Sequence, residues 1–122
     1  GEAPSVALLG FSQGGMVALQ AMRLQPERFD AVLALSSVVT PAEHPGDVAL
    51  QLRRPPVFWG FGTHDGMFPQ PLAEHTARWL PEHSAATLKL YQGLGHGISQ
   101  EELVDIQQFL GDWMARVAEH RS

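Results

Sequence analysis

Cysteine is absent from the 122 residues. That excludes disulfides, thiolate metal sites and a cysteine nucleophile together. It also fits a reducing compartment, and the expected location is cytoplasmic. Basic side chains are few: eight Lys and Arg stand against thirteen Asp and Glu, for a formal net charge of −5. No basic footprint points to nucleic acid, and a mild acidic balance speaks to solubility rather than to substrate. No apolar run approaches the roughly 20 residues of a membrane-spanning helix, so no membrane span is expected. No signal peptide is visible, but the chain starts at Gly1 and not Met. It reads as cut at its N-terminus. An ordinary apolar share of 44 % is present, in a length that fits one domain.

The apolar residues alternate between two kinds of segment. Val6-Ala7-Leu8-Leu9 is too short for a helix and suits a buried parallel strand ending at Gly10. A helical stretch from about Gln13 to Gln25 follows, with Val17, Ala21 and Leu24 on one face and Pro26 as a stop. Ala31 to Leu35 reads as a second strand, Thr40 to Gly46 as a loop, and Val48 to Arg53 as one or two helical turns. Val57 to Gly60 is a third strand and Gly62 to Pro69 a loop. Pro71 opens a helix to Leu80, where its missing N–H is not needed; Leu72, Thr76, Trp79 and Leu80 should face inward. Thr87 to Tyr91 is a fourth strand. After the loop Gln92 to Gly97, Ser99-Gln100-Glu101-Glu102 has the form of a capping box. The last helix then carries Leu103, Ile106, Leu110, Trp113 and Val117 on one stripe. Strand followed by helix, four times over, predicts an α/β domain with a mostly parallel sheet flanked by helices.

The loops carry the chemistry. Gly10-Phe11-Ser12-Gln13-Gly14 lies between an apolar strand and a helical pattern. That context turns a common motif into the strand–turn–helix of a serine nucleophile, as in α/β-hydrolases. The turn is sharp, and glycines on both sides allow close backbone approach. The helix N-terminus favours negative charge at the serine, and the Gln13 N–H is the candidate oxyanion donor. The alternative is that Ser12 merely caps the helix, a position serine favours.

Triad partners in such a fold follow in the order Ser, acid, His. They must come from loops at the carboxyl edge of the sheet, where open α/β sheets build their sites. Asp65, in the loop after the third strand, is the candidate acid. Asp30 lies at the opposite edge, Asp105 and Asp112 sit in the last helix, and Asp47 and Glu43 are weaker rivals. His96, between Gly95 and Gly97 after the fourth strand, is the candidate base. His64 is its rival; an adjacent residue in an extended loop points away from its neighbour. His75 and His120 read as helix surface, His83 as a polar turn and His44 as part of the proline-rich loop. No His, Asp or Glu pair has the spacing of a metal site.

Three segments together, Gly10-Phe11-Ser12-Gln13-Gly14-Gly15, Gly62-Thr63-x-Asp65-x-x-x-Pro69 and Gly95-His96-Gly97-Ile98-Ser99, resemble the phospholipase/carboxylesterase family, which includes acyl-protein thioesterases. The resemblance runs from about Val6 to about Trp113. It implies hydrolysis of an acyl ester or thioester without a cofactor, and it puts nucleophile, acid and base on Ser12, Asp65 and His96. There are departures. Gly66-Met67-Phe68 follows the acid where the family usually has Pro-Val or Pro-Ile, and Trp59 stands where a histidine often precedes the glycine. Met67 and Phe68, with Leu94, are candidate substrate-binding residues; loop packing is the alternative role.

Family members have about as much chain again before the serine turn. The expectation is therefore a C-terminal portion of an α/β-hydrolase, with the first strands and a second oxyanion N–H lying upstream. On its own this chain should be inactive or very weak on short-chain p-nitrophenyl esters. The alternative function is a non-catalytic hydrolase module acting by binding or assembly. A third reading, peptide cleavage or acyl transfer, has no specific feature behind it. Oligomeric state stays open, a homodimer included.

Overall fold

The computed structural model describes residues 4–121. Its elements run β1 (Ala7–Phe11), α1 (Gln13–Leu24), β2 (Ala31–Leu35), α2 (Asp47–Arg53), β3 (Pro56–Gly62), α3 (Gln70–His83), β4 (Ala85–Tyr91) and α4 (Gln100–Arg121). The strands form one parallel sheet in the order β1-β2-β3-β4. Every strand therefore ends at the same edge, and the loops after β1, β3 and β4 meet there. The alternation predicted from sequence is present, with β3 and β4 each longer than expected.

The middle of the sheet is covered on both faces. β2 reads Ala-Val-Leu-Ala-Leu with no polar alternation, and all five residues are buried. A parallel strand between two helix layers has that composition because neither face meets water. Val32, Ala34, Val57 and Trp59 pack with Ala18, Leu19 and Met22 of α1, Leu50 of α2 and Trp79 and Leu80 of α3. Ala31, Leu33, Leu35 and Phe58 pack with Ile106 and Phe109 of α4. Phe58 is fully buried there, which stabilises the fold by about 2–3 kcal/mol.

Helix α1 buries a different face from the one its larger apolar residues suggest. Gly15, Ala18, Leu19, Met22 and Arg23 face inward, whereas Val17 and Leu24 are 67 % and 64 % exposed. Small residues let the helix approach the sheet closely, and that outweighs the Val17-Ala21-Leu24 stripe. Arg23 is buried because its guanidinium is saturated. It donates to both Asp47 carboxylate oxygens and to the carbonyls of Thr40 and Ala42, and it lies over the Trp79 ring.

Two further elements differ from expectation. Helix α3 continues past Pro81 to His83. Its terminal carbonyls find side-chain donors: Arg54 reaches those of Pro81 and Glu82, His83 that of Trp79, and Ser84 that of Leu80. His83 is thereby buried and stacked on Trp79, with ring centroids 3.9 Å apart, rather than lying in a polar turn. At the start of α4, Ser99 Oγ accepts the Glu102 N–H at 3.1 Å, which is half of the capping box. The other half does not form. The Glu102 carboxylate is buried without a hydrogen-bond partner among the described residues, under Gly60. A Cβ on Gly60 would lie 1.9 Å from Glu102 Oε2, so the missing side chain makes the space the carboxylate fills. In α4, Ile106, Phe109, Leu110 and Trp113 pack on the sheet, and Leu103 of the expected stripe is exposed.

Candidate active site

Ser12 follows the last residue of β1, and its N–H extends the ladder to the Leu35 carbonyl at 2.8 Å. It then turns into α1 with φ 58° and ψ −119°. A non-glycine residue at positive φ costs of order 1–3 kcal/mol and persists only where its surroundings over-determine it. The turn closes so tightly that a Cβ on Gly10 would lie 2.1 Å from the Gly14 carbonyl oxygen; only glycine fits. Ser12 stands at the N-cap position of α1, but its side chain makes no capping bond to the helix. The Gln13 N–H, first of the helix, donates no hydrogen bond among the described residues.

The other two candidates arrive from separate strands. The Ser12 hydroxyl donates to His96 Nε2 at 2.9 Å. His96 Nδ1–H donates to Asp65 Oδ2 at 2.8 Å. The Asp65 side chain is fully buried and the His96 side chain 22 % exposed. The second Asp65 oxygen accepts the Met67 N–H at 2.9 Å. With both oxygens engaged, the carboxylate presents one fixed lone pair to the imidazole. Ser12, His96 and Asp65 are thus brought together from loops 53 and 84 residues removed from the serine, counting Asp65 − Ser12 and His96 − Ser12.

The rivals are placed elsewhere. Asp30 pairs with Arg53 at the far edge of the sheet. Asp47 holds Arg23. Asp105 accepts the Tyr91 hydroxyl at 2.7 Å; burial first, and then that bond, push the Tyr91 hydroxyl well above its usual range. Glu43 is exposed, Asp112 lies on the exposed side of α4, and His64 is exposed next to Asp65. His44 and His75 line a hollow of about 430 Å³ between the 41–46 loop, α2 and α3, away from Ser12.

The three candidate substrate-binding residues have distinct places. Phe68 meets His96 edge-on, ring centroids 6.0 Å apart, and also packs against Phe61. Met67 is exposed. Leu94 engages through its backbone, its carbonyl accepting the His64 N–H at 2.9 Å. Two residues of the site escape the sequence reading. Phe11 lies against the imidazole with centroids 5.1 Å apart; as the variable residue of the serine motif it carried no signal of its own. Ser36 donates through its hydroxyl to the Gly97 carbonyl; a serine after a strand looks ordinary. Two phenyl rings thus lie against the imidazole. A groove of about 690 Å³ between β4 and α4 is lined by Arg54, Lys89, Asp105 and Arg116 and includes neither Ser12 nor His96.

A sequence model of the phospholipase/carboxylesterase family matches residues 2–114. The chain belongs to that family. Carboxylesterase SOBER1 of Arabidopsis thaliana is 28 % identical over 114 residues, covering 92 % of this chain and 48 % of that protein. Acyl-protein thioesterase 1 of Kluyveromyces lactis is 28 % identical over 111 residues, covering 87 % of this chain and 49 % of the relative. Among solved structures, esterase PE8 is 31 % identical with a TM-score of 0.71, covering 87 % of this chain and 49 % of that one. Crystalline SOBER1 superposes with a TM-score of 0.75 at 27 % identity over 93 % and 56 %. The architecture is that of α/β-hydrolase esterases. The chain spans about half the length of the curated relatives it matches. No helix among the described residues is long and apolar enough to cross a membrane.

Proposed function

We propose that these residues form the catalytic half of a serine hydrolase acting on carboxylic esters or thioesters. The supporting observation is the continuous relay from Ser12 Oγ to His96 Nε2 and from His96 Nδ1 to Asp65, at 2.9 and 2.8 Å. His96 takes the hydroxyl proton as Ser12 Oγ bonds to the acyl carbon. Asp65 holds the imidazole in the tautomer that can accept it and stabilises the cation that forms. The Gln13 N–H at the start of α1 donates to the developing oxyanion. The imidazolium returns its proton to the leaving alkoxide or thiolate, leaving an acyl-enzyme. Water, deprotonated by His96, then releases the acid and regenerates Ser12. Phe11 and Met67 are exposed beside this relay and suit an apolar acyl group better than a charged one.

The described residues offer one oxyanion donor. Losing a second would cost on the order of 3 kcal/mol in the transition state. We therefore place that second N–H in the half of the fold that the relatives have and this chain does not span, and expect the 122 residues alone to be far slower than the whole. A fluorophosphonate probe tests the nucleophile directly. The full-length protein should be labelled, with the adduct on Ser12, and Ser12→Ala should abolish it. A folded full-length protein that resists labelling sinks the hydrolase reading and leaves a module that binds or assembles.

A further inference from the structure

The base sits in a loop whose main chain has few hydrogen bonds among the described residues. Gly95 and Gly97 flank His96, and a Cβ added to Gly97 would meet nothing within 4 Å. Packing therefore does not fix that peptide. Of residues 95–98, only Gly97 has a main-chain hydrogen bond among the described residues, at its carbonyl. The donor is Ser36 Oγ, at 3.1 Å.

Ser36 is itself unusual. It is fully buried and stands at φ 50°, one of three non-glycine residues at positive φ among the described residues. Glycine would adopt that conformation without strain, so the side chain is kept at a cost. The conformation is locked by neighbours. The Ser36 N–H donates to the Gly60 carbonyl at 2.8 Å, and the preceding carbonyl, that of Leu35, accepts the Ser12 N–H at 2.8 Å. One peptide thus grips the nucleophile turn, and the next side chain grips the loop of the base.

We propose that Ser36 is a positioning residue for His96, acting through the hydrogen bond from its hydroxyl to the Gly97 carbonyl. The kinetic part of this proposal rests on the triad reading above. With the bond in place, the imidazole is fixed at both ends, by Asp65 on Nδ1 and by the tethered peptide that follows it. Without it, two glycines let the ring leave the line between Ser12 and Asp65, and a small misplacement of a base costs rate rather than binding.

Ser36→Ala and Ser36→Gly in the full-length protein test this. Both lose the hydroxyl, but the glycine variant also loses the backbone strain, so it folds at least as well as the alanine variant. We expect kcat and the fluorophosphonate labelling rate to fall about tenfold in both, with KM within twofold of the parent. The downfield proton resonance of His96 Nδ1–H, which reports its hydrogen bond to Asp65, should be lost in Ser36→Gly. A Ser36→Gly protein with parental kcat overturns the proposal. So does a resonance that is unchanged in Ser36→Gly, whatever the kinetics. A parent protein that neither turns over ester nor labels defeats the triad reading instead, and the imidazole resonance then decides the positioning role alone.

Discussion

Glu102→Gln should make the protein more stable at pH 8 than at pH 5, relative to its parent. The Glu102 carboxyl is fully buried, faces Gly60, and has no hydrogen-bond partner among the described residues. Burial, and secondarily the negative charge of Asp105 one turn on, raise its pKa from 4.5 to about 7. The folded state therefore keeps this proton up to about pH 7, while the unfolded chain releases it near pH 4.5. Folding binds a proton in that window, so stability falls as pH rises through it. The contribution is fully present below about pH 4.5 and lost above about pH 7. At 1.36 kcal/mol per pH unit the window amounts to about 3 kcal/mol. Glutamine has the same shape and no proton to lose. It should match the parent within about 1 kcal/mol near pH 5 and exceed it by about 2–3 kcal/mol at pH 8. Urea unfolding followed by tryptophan fluorescence at several pH values measures the difference. Every other titratable group is common to both proteins and cancels in the comparison. A difference between variant and parent that stays flat from pH 5 to pH 8 would refute the claim that this carboxyl is buried in protonated form.

Two further substitutions probe the scaffold and the relay. Asp47→Ala strands the Arg23 guanidinium, which is 1 % exposed, and should cost about 3–5 kcal/mol, read as a fall in Tm of roughly 10 °C or more. Burial opposes the charge on Asp47, but the hydrogen bonds from Arg23 and from the His44 N–H outweigh it and leave its pKa below 3.8; the ion pair therefore holds above that pH and is lost as pH falls through the lowered value. Asp65→Asn keeps the shape of the loop but presents an amide to His96 Nδ1, which favours the wrong tautomer. It should lower kcat by about 10⁴-fold with Tm little changed, and a loss under tenfold would mean Asp65 does not orient the base.

The parts of this fold that were legible in sequence are those set by local chemistry. Four apolar runs, proline and glycine stops, and the strand–serine–helix turn each carry their signal within a few residues. That Asp65 and His96 would meet Ser12 was legible because chain order and a shared sheet edge leave few candidates. What was not legible depends on partners far along the chain. A Glu three residues after a Ser reads as a capping box, and nothing local says that Gly60, 42 residues earlier by subtraction, opens a space for its carboxylate. Arg23 counts as polar in any periodicity, yet it is buried because Asp47 and two carbonyls saturate it. The helix reads as ending at Leu80, but Arg54, His83 and Ser84 satisfy the carbonyls of a further turn.

The same distinction explains where the precision of the site comes from. None of Ser12, Asp65 and His96 lies on β2, yet the residues ending β2 touch the supports of the site in turn. Leu35 binds the Ser12 N–H, Ser36 binds Gly60 and Gly97, and the Ser37 carbonyl accepts the Trp59 indole N–H at 2.8 Å. β2 is also the strand with every residue buried. A strand packed on both faces has almost no freedom to shift, so its end is the most rigid reference point the sheet has. The turn of Ser12 and the loop of His96 can be glycine-rich because each is tied to that point. The cost is two strained serines, Ser12 and Ser36, one on each side of the Leu35 carbonyl, and the burial of β2 is what keeps both from relaxing.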